Sequence, residues 1–373
     1  MVAIESVNPF YADGARGEVA MADYLEASFR ALGLMPSRRD VLPGRPNVWA
    51  KLDAPGAIQT LLLEAHMDTV TLEPAGTTML DPRIDGGRMY GRGSCDTKAS
   101  LAAMLTAVEA LAPRRDSLRA NLVVMGSMDE EYLMRGILDF AAHGPEVHAA
   151  VIGEPTSMSV VRAHKGLVRW RVATLGRSAH TSRPEVGDNA IYQMVGAIAR
   201  LRSAIEPRLA TRTHALLSNA TLTVSMIEGG LGANIVPDRC EITIDRRTLP
   251  QEEPDEVIAE FRAVIERIMR DDPSIKIDVP EPFANIAGLD TPADAPFVRL
   301  TTPIAHEFGG SPMAVGVPYG TNAPGIARRG VPTIVLGPGD IAQAHSANEW
   351  VELAQVERAA EMYARIAQAF PGR

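Results

Sequence analysis

Four short apolar runs, at residues 60–65, 121–125, 149–152 and 331–336, constrain this chain more than any other feature. They are too short for ordinary globular helices and are apolar almost throughout, the pattern of strands buried on both faces. Helical periodicity alternates with them. Residues 18–32 place Val19, Tyr24, Leu25, Phe29 and Leu32 at helical spacing before Gly33 stops the pattern. Residues 100–111 are rich in Ala, Leu and Met, residues 136–143 read as a further helix, and helices follow near 297–308 and 353–370. Alternation of this kind implies a mostly parallel α/β sheet.

The middle of the chain has another rhythm. A strand at 167–175, a helix at 189–205, strands at 220–227 and 240–248, a helix at 254–270 and a strand at 275–279 give the order βαββαβ of a ferredoxin-like unit. A Pro-rich stretch at 280–296 returns the chain to the α/β pattern. The expected organisation is an α/β catalytic domain in two parts, 1–165 and 281–373, with a small α+β domain inserted at 166–280. Glycines 229, 230 and 232 lie between two strands with no helix after them, which reads as a hairpin turn rather than a phosphate cradle.

At 373 residues the chain exceeds the usual single-core size, and a 46% hydrophobic content supplies real cores. No stretch is long and apolar enough for a membrane span, and the first residues lack the basic-then-apolar order of a signal peptide. Cys95 and Cys240 are the only cysteines and form no disulfide framework, so a cytoplasmic setting is expected. The 37 basic against 46 acidic side chains leave a formal charge of −9, the wrong balance for nucleic acid or an anionic membrane.

Chemistry-bearing residues gather where strands or loops run out: His66 in EAHMDTV, Asp96 in GRGSCDTKAS, Glu131 in MDEE, Glu154 in VIGEPT and His345 in QAHSANE. Ligands of open α/β sheets collect beyond the carboxyl ends of strands, which is where His66, Glu130, Glu131 and Glu154 fall. Imidazole with carboxylate suits zinc and similar dications, and five ligands exceed the need of one open catalytic ion. A bridged pair is expected, with Asp96 as the bridge because Gly91 and Gly93 allow close loop approach. One distribution pairs His66 with Glu131 and His345 with Glu154, and the sequence leaves that assignment open. Asp68 is placed to steady His66, and the adjacent Glu130 is the natural general base.

The motifs HMD, GRGSCDTKAS, MDEE, IGEPT, GRSAHTSRPEVGDNAI, GGLGANIVPD, DRRTLP and GPGDIAQAHSANEW occur in that order. They resemble the zinc metallopeptidase and amidohydrolase family of acetylornithine deacetylase, succinyl-diaminopimelate desuccinylase, aminoacylase and glutamate carboxypeptidase, over nearly the whole chain. The resemblance implies that His66, Asp96, Glu131, Glu154 and His345 bind two divalent ions, Zn2+ or alternatively Co2+. It carries most of the choice of Glu130 over Glu131 as base. It further implies a homodimer through the inserted domain, His180 reaching a neighbouring site to stabilise the oxyanion, and Arg247 and Asn234 holding the substrate carboxylate and carbonyl.

The implied reaction is hydrolysis of an N-acyl-L-amino acid amide by a metal-bridged water, as in deacetylases and desuccinylases. A dipeptidase or carboxypeptidase, or a metal-free binding homologue, is the alternative. Asn322 stands where many relatives carry an acidic residue in a loop near substrate, which weakens the expectation of a cationic substrate side chain. Tyr132 departs from the smaller residue often found there.

Overall fold

The computed structural model describes residues 1–12 and 14–372. Contacts divide them into two units, one of residues 1–162, 290–316 and 321–373, the other of residues 163–289 and 317–320.

In the first unit the strands Asn121–Ser127, Thr60–His66, Ala149–Ile152 and Thr333–Val335 lie side by side in that order, every neighbouring pair parallel. All seven residues of Thr60–His66 and of Asn121–Ser127 are buried, as apolar runs covered on both faces must be. The packed core includes Leu101, Met104 and Val108 from the helix Lys98–Leu111 and Met362, Tyr363 and Ile366 from the helix Leu353–Ala369. Met21, Leu25 and Phe29 of Val19–Ala31 join the same cluster. Gly126 is required by that packing, since a Cβ there would stand 2.3 Å from Leu25 Cδ1.

The sheet is mixed at its edge. Pro36–Leu42 and Arg45–Leu52 form an antiparallel hairpin, and the second of these strands runs antiparallel to Asn121–Ser127. The hairpin carries no long apolar run, so periodicity alone did not mark it. Three short strands, Arg83–Asp85, Arg88–Tyr90 and Trp350–Glu352, make a separate antiparallel sheet. Among the described residues no helix is long and apolar enough to cross a membrane.

The second unit follows the order β–α–β–β–α–β. Its antiparallel sheet places Arg239–Thr248 between Thr221–Gly229 and Gly166–Leu175, with Ile277–Asp278 on the far side of the latter. Alternate residues Cys240, Ile242 and Ile244 are buried, as a strand with one covered face requires. They pack with Met194, Leu201 and Ile205 of the helix Ala190–Thr211 and with Phe261, Ile265 and Ile268 of Pro254–Asp271. The Asn189 side chain caps the first helix, accepting from the amides of Ile191 at 3.0 Å and Tyr192 at 3.2 Å.

That helix runs past the expected end at 205 and through Pro207. Leu209 continues the buried row of Leu201 and Ile205 at a spacing of four, and this packing outweighs the hydrogen bond that Pro207 cannot make. The Pro-rich stretch also contributes Ala284–Ile286, which pairs with Gly166–Leu175.

Trp170 and Phe261 stack at 4.5 Å between centroids in the interior of this unit. Phe261→Ala should cost about 3–5 kcal/mol of stability, read by urea unfolding; a loss under about 1 kcal/mol would contradict this packing.

Candidate metal centre

Three neighbouring parallel strands end at the same edge of the sheet, and each delivers acidic or imidazole groups there. His66 is the last residue of Thr60–His66, Glu130 and Glu131 follow Asn121–Ser127, and Glu154 follows Ala149–Ile152. Asp96 arrives from the loop before the helix Lys98–Leu111. In that loop Gly93 has φ +78°, and a Cβ on it would stand 2.9 Å from Thr69 Cγ2. His345 comes from the segment between Ile341–Gln343 and Trp350–Glu352.

Asp96 stands at the middle of the arrangement. Its Oδ1 lies 3.0 Å from His66 Nε2 and its Oδ2 lies 3.3 Å from His345 Nε2. Two groups of donor atoms result, each with its atoms within 4.8 Å of one another: His66, Asp96 and Glu154, and Asp96, Glu131 and His345. The pairing of His66 with Glu131 and of His345 with Glu154 is therefore not the one the structure makes. Neighbouring strands bring Glu154 to 3.9 Å from His66 Nε2, while His345 Nε2 is 3.3 Å from Glu131. Glu130 belongs to neither group; its Oε2 is 4.0 Å from His66 Nε2.

The groups behind these residues are ordered by main-chain hydrogen bonds. His66 Nδ1 donates to the Asp68 carbonyl at 2.9 Å, which sets the ring orientation with Nε2 facing Asp96. The Asp68 carboxylate is 3.5 Å from the same Nδ1 and accepts instead from the amides of Glu130 and Glu131, both at 3.1 Å, and from Asn8 Nδ2 at 2.8 Å. The steadying role expected of Asp68 thus extends from the imidazole to the acidic turn.

Glu349, which sequence reasoning passed over, does the same for the Asp96 loop. It accepts from the amides of Cys95 at 2.9 Å and Asp96 at 3.0 Å and from Arg92 Nη1 at 2.7 Å. Asn8, Asp129 and Arg45 were also missed. Asp129 had the one local signal, its place in MDEE, whereas Asn8 and Arg45 lie in none of the motifs. Cys95 is a buried packing residue beside Ala99 and Val351, its thiol pushed up by burial.

Charge decides whether a cation fits. Burial first, against the pull of His66, and then repulsion from neighbouring carboxylates hold Glu130 and Glu154 well above the ordinary value; burial and Asp96 move Glu131 the same way. Asp96 and Glu131 raise His345 to about 11. Burial opposes the His66 imidazolium, but Asp68 and Asp96 overcome it and hold its pKa well above normal. An edge so deficient in positive charge, with imidazole and carboxylate donors in two groups sharing one aspartate, fits a pair of dications.

His180, Asn234 and Arg247 lie in the second unit. Ala179–His180 pairs antiparallel with Ile235–Val236, and the Thr181 amide donates to the Asn234 carbonyl at 3.1 Å, so His180 and Asn234 are close neighbours. His180 is exposed, and its Nδ1 accepts from the Ser182 amide at 3.1 Å. In the neutral ring that places the proton on Nε2. Arg247 donates through Nε to Asp245 at 2.8 Å. Asn322 is fully buried in the first unit, where its Nδ2 donates to Glu64 at 2.9 Å and Ser127 at 3.0 Å. These bonds tie the Asn322 amide nitrogen to the end of the strand that precedes the acidic turn and to Glu64, inside the first unit. Tyr132 stacks on Phe10 at 3.8 Å.

The first unit is a mixed α/β fold whose mostly parallel sheet carries a candidate two-ion centre at its acidic edge. The chain belongs to peptidase family M20/M25/M40, whose family model matches residues 62–369, and this bears out the resemblance read from the motifs.

Acetylornithine deacetylase of Myxococcus xanthus is 30% identical over 369 residues, covering 96% of this chain and 93% of the relative. That of Vibrio vulnificus (strain CMCP6) is 33% identical over 346 residues, covering 90% and 87%. Among solved structures, a tripeptidase from Staphylococcus aureus matches at TM-score 0.79 and 20% identity, covering 98% of this chain and 95% of its own. A Bacillus subtilis protein described as a dinuclear metal binding peptidase matches at TM-score 0.68 and 14% identity, covering 94% and 92%.

Two outcomes follow. Glu349→Ala removes the acceptor for two amides of the Asp96 loop and should weaken metal affinity about 10–100-fold in chelator competition; unchanged affinity would remove Glu349 from this role. In metal-stripped protein, Glu130, Glu131 and Glu154 carry folded pKa values above the ordinary 4.5. Their stabilising contribution is complete below that value and is lost as pH rises through the raised ones. His66 and His345 act in the same sense above 6.5. Stripped protein should be more stable at about pH 5 than at about pH 8 in urea unfolding, with the gap narrowing when a dication is added. A gap that metal leaves unchanged would contradict the charge argument.

Proposed function

We propose that this chain is a two-metal amidohydrolase that cleaves an N-acyl-L-amino acid. His66 and Glu154 would hold one ion and Glu131 and His345 the other, with Asp96 common to both donor groups. The observation that carries the proposal is the division of the Asp96 oxygens, Oδ1 toward His66 and Oδ2 toward His345. Two Zn2+ ions, or Co2+, supply Lewis acidity and positive charge where negative charge develops. The relatives named acetylornithine deacetylase support a deacylase; the tripeptidase among the fold neighbours keeps a peptidase of the same family as the alternative.

Glu130 has the chemistry of the base. It is in neither donor group, and burial raises its proton affinity well above the ordinary carboxylate value. As a water oxygen forms its bond to the amide carbon, Glu130 takes a water proton on a carboxylate oxygen. It then returns that proton to the amide nitrogen as the C–N bond breaks, releasing a carboxylic acid and an amine. Asp68 keeps Glu130 in place through the amide that it accepts. His180 Nε2–H is a suitable donor to the developing oxyanion, and Arg247 and Asn234 are assigned to the substrate carboxylate and carbonyl.

A homodimer through the second unit is part of the proposal. Thr221–Gly229 has one strand partner among the described residues, and Met226, Ile227, Tyr192 and Val195 in that unit are 58–76% exposed.

Glu130→Gln should retain metal and fold while turnover falls about 10²–10⁴-fold; Glu131→Gln should also lose metal affinity. Equal metal in both variants with the first still active would reverse the roles. Mixing Glu130→Gln with His180→Ala protein should restore activity in exchanged dimers if His180 acts on the partner's site. No recovery after proven exchange would end that part of the proposal. Amine release across N-acetyl, N-succinyl and N-carbamoyl amino acids and dipeptides tests the reaction; turnover of dipeptides alone would replace the deacylase by the peptidase.

A further inference from the structure

The chain's first residues reach the acidic turn through Asn8, Phe10 and Tyr11, and one of these side chains joins two carboxylates. Val7 bridges Thr69 in parallel, the Thr69 amide donates to the Ser6 carbonyl at 3.0 Å, and the Asn8 amide donates to the Thr69 carbonyl at 2.9 Å. This holds residues 6–8 beside the segment that follows His66. Asn8 is fully buried, and its Nδ2 donates to Asp68 Oδ2 at 2.8 Å and to Asp129 Oδ1 at 3.1 Å. Its Oδ1 accepts from the Phe10 amide at 3.1 Å. That bond sets the amide's orientation, because the reverse would turn an oxygen toward two carboxylates. Beyond it, Tyr11 Oη donates to the Glu131 carbonyl at 3.0 Å, and the Phe10 ring lies on Tyr132.

We propose that Asn8 is a positioning residue for Glu130 and Glu131. Its two N–H groups hold the Asp68 and Asp129 carboxylates together, and those two residues set where the acidic turn stands. Asp68 does so by accepting from the amides of Glu130 and Glu131. Asp129 does so as the preceding residue, with φ +68° and a carboxylate gripped by Arg45 and Arg135. Both carboxylates are fully buried, so without a shared donor they face each other in a medium that screens poorly. Asn8 touches neither donor group, and its effect passes entirely through the two aspartates. The kinetic consequence rests on the hydrolase reading above; the structural one does not.

The test compares Asn8→Gln, Asn8→Ala and Asn8→Asp in the full chain by two measurements. The first is hydrogen exchange of a peptide covering residues 128–132, with the strand Thr60–His66 as internal reference. The second is steady-state kinetics at saturating metal on whichever substrate the wild type turns over. Gln keeps the two donors, Ala removes them, and Asp keeps the shape while adding a third carboxylate. The expected order of lost protection at residues 128–132 is therefore Gln least, Ala next and Asp greatest, with the reference strand unchanged. The kcat of Asn8→Ala should fall about 10–100-fold with KM within about threefold, as misplacement of a base and a ligand would produce.

A residue that merely fills space gives the opposite order, since Asp is isosteric and Gln overpacks. That order, a loss of protection shared by the reference strand, or unchanged protection and kcat in all three variants would overturn the proposal. A wild type that hydrolyses nothing would overturn the hydrolase reading, while the order of exchange still decides the role of Asn8.

Discussion

Negative charge gathered at one edge of a parallel sheet is the constraint to which the rest of the first unit responds. Asp68, Asp96, Glu130 and Glu154 are all buried there, against His66 as the nearest buried imidazole. Like charges this close in a poorly screened setting repel by several kcal/mol at an effective dielectric of about 20. Protonation relieves part of this, which is why burial and repulsion together raise the glutamates. A divalent cation relieves it more completely, so the cost of assembling the edge and the capacity to hold metal are one property.

The edge is kept in order by carboxylates that accept main-chain donors. Asp68 holds the turn at Glu130 and Glu131, and Glu349 holds the loop at Cys95 and Asp96. Charge-assisted bonds of this kind are strong and directional. They act on the backbone, so the side chains of Asp96, Glu130 and Glu131 remain available. Arg92 extends the second brace, since it donates to Glu349, to the Ser346 carbonyl and to the Thr71 carbonyl. It thereby joins the loop that carries Asp96 to the one that carries His345.

Much of this was legible in the sequence for a physical reason. A strand buried on both faces must be largely apolar, and a polar residue at its end then stands out, as His66 does after Leu61, Leu62, Leu63 and Ala65, interrupted only by Glu64. The alternation in Arg239–Thr248 is equally local. What escaped depends on contacts across long stretches of chain. Asn8 meets Asp129 121 positions away, and Glu349 meets Asp96 253 positions away. The division of ligands escaped for the same reason, because it follows from which strands are neighbours. The burial of Asn322 was likewise not legible, because sequence position near a motif carries no information about burial. The edge hairpin Pro36–Leu42 with Arg45–Leu52 was missed because an outer strand needs few apolar residues.

Hydrogen-bond capacity separates the carboxylates that build this edge from those that can act at it. Asp68 accepts from two amides and Asn8, Asp129 from two guanidinium groups and Asn8, and Glu349 from two amides and Arg92. Each has its oxygens engaged by donors of the fold and little left to offer an ion. Asp96, Glu131 and Glu154 face imidazoles instead, and these three are the carboxylates of the two donor groups. Glu130 is the remaining case: its amide is tied to Asp68, while its carboxylate stands beside both groups and belongs to neither. A buried carboxylate with a fixed backbone, a raised proton affinity and no ligand duty is suited to carrying a proton. The same reasoning is the ground on which the proposed function gives adjacent glutamates in one turn different roles, since only Glu131 is opposite His345.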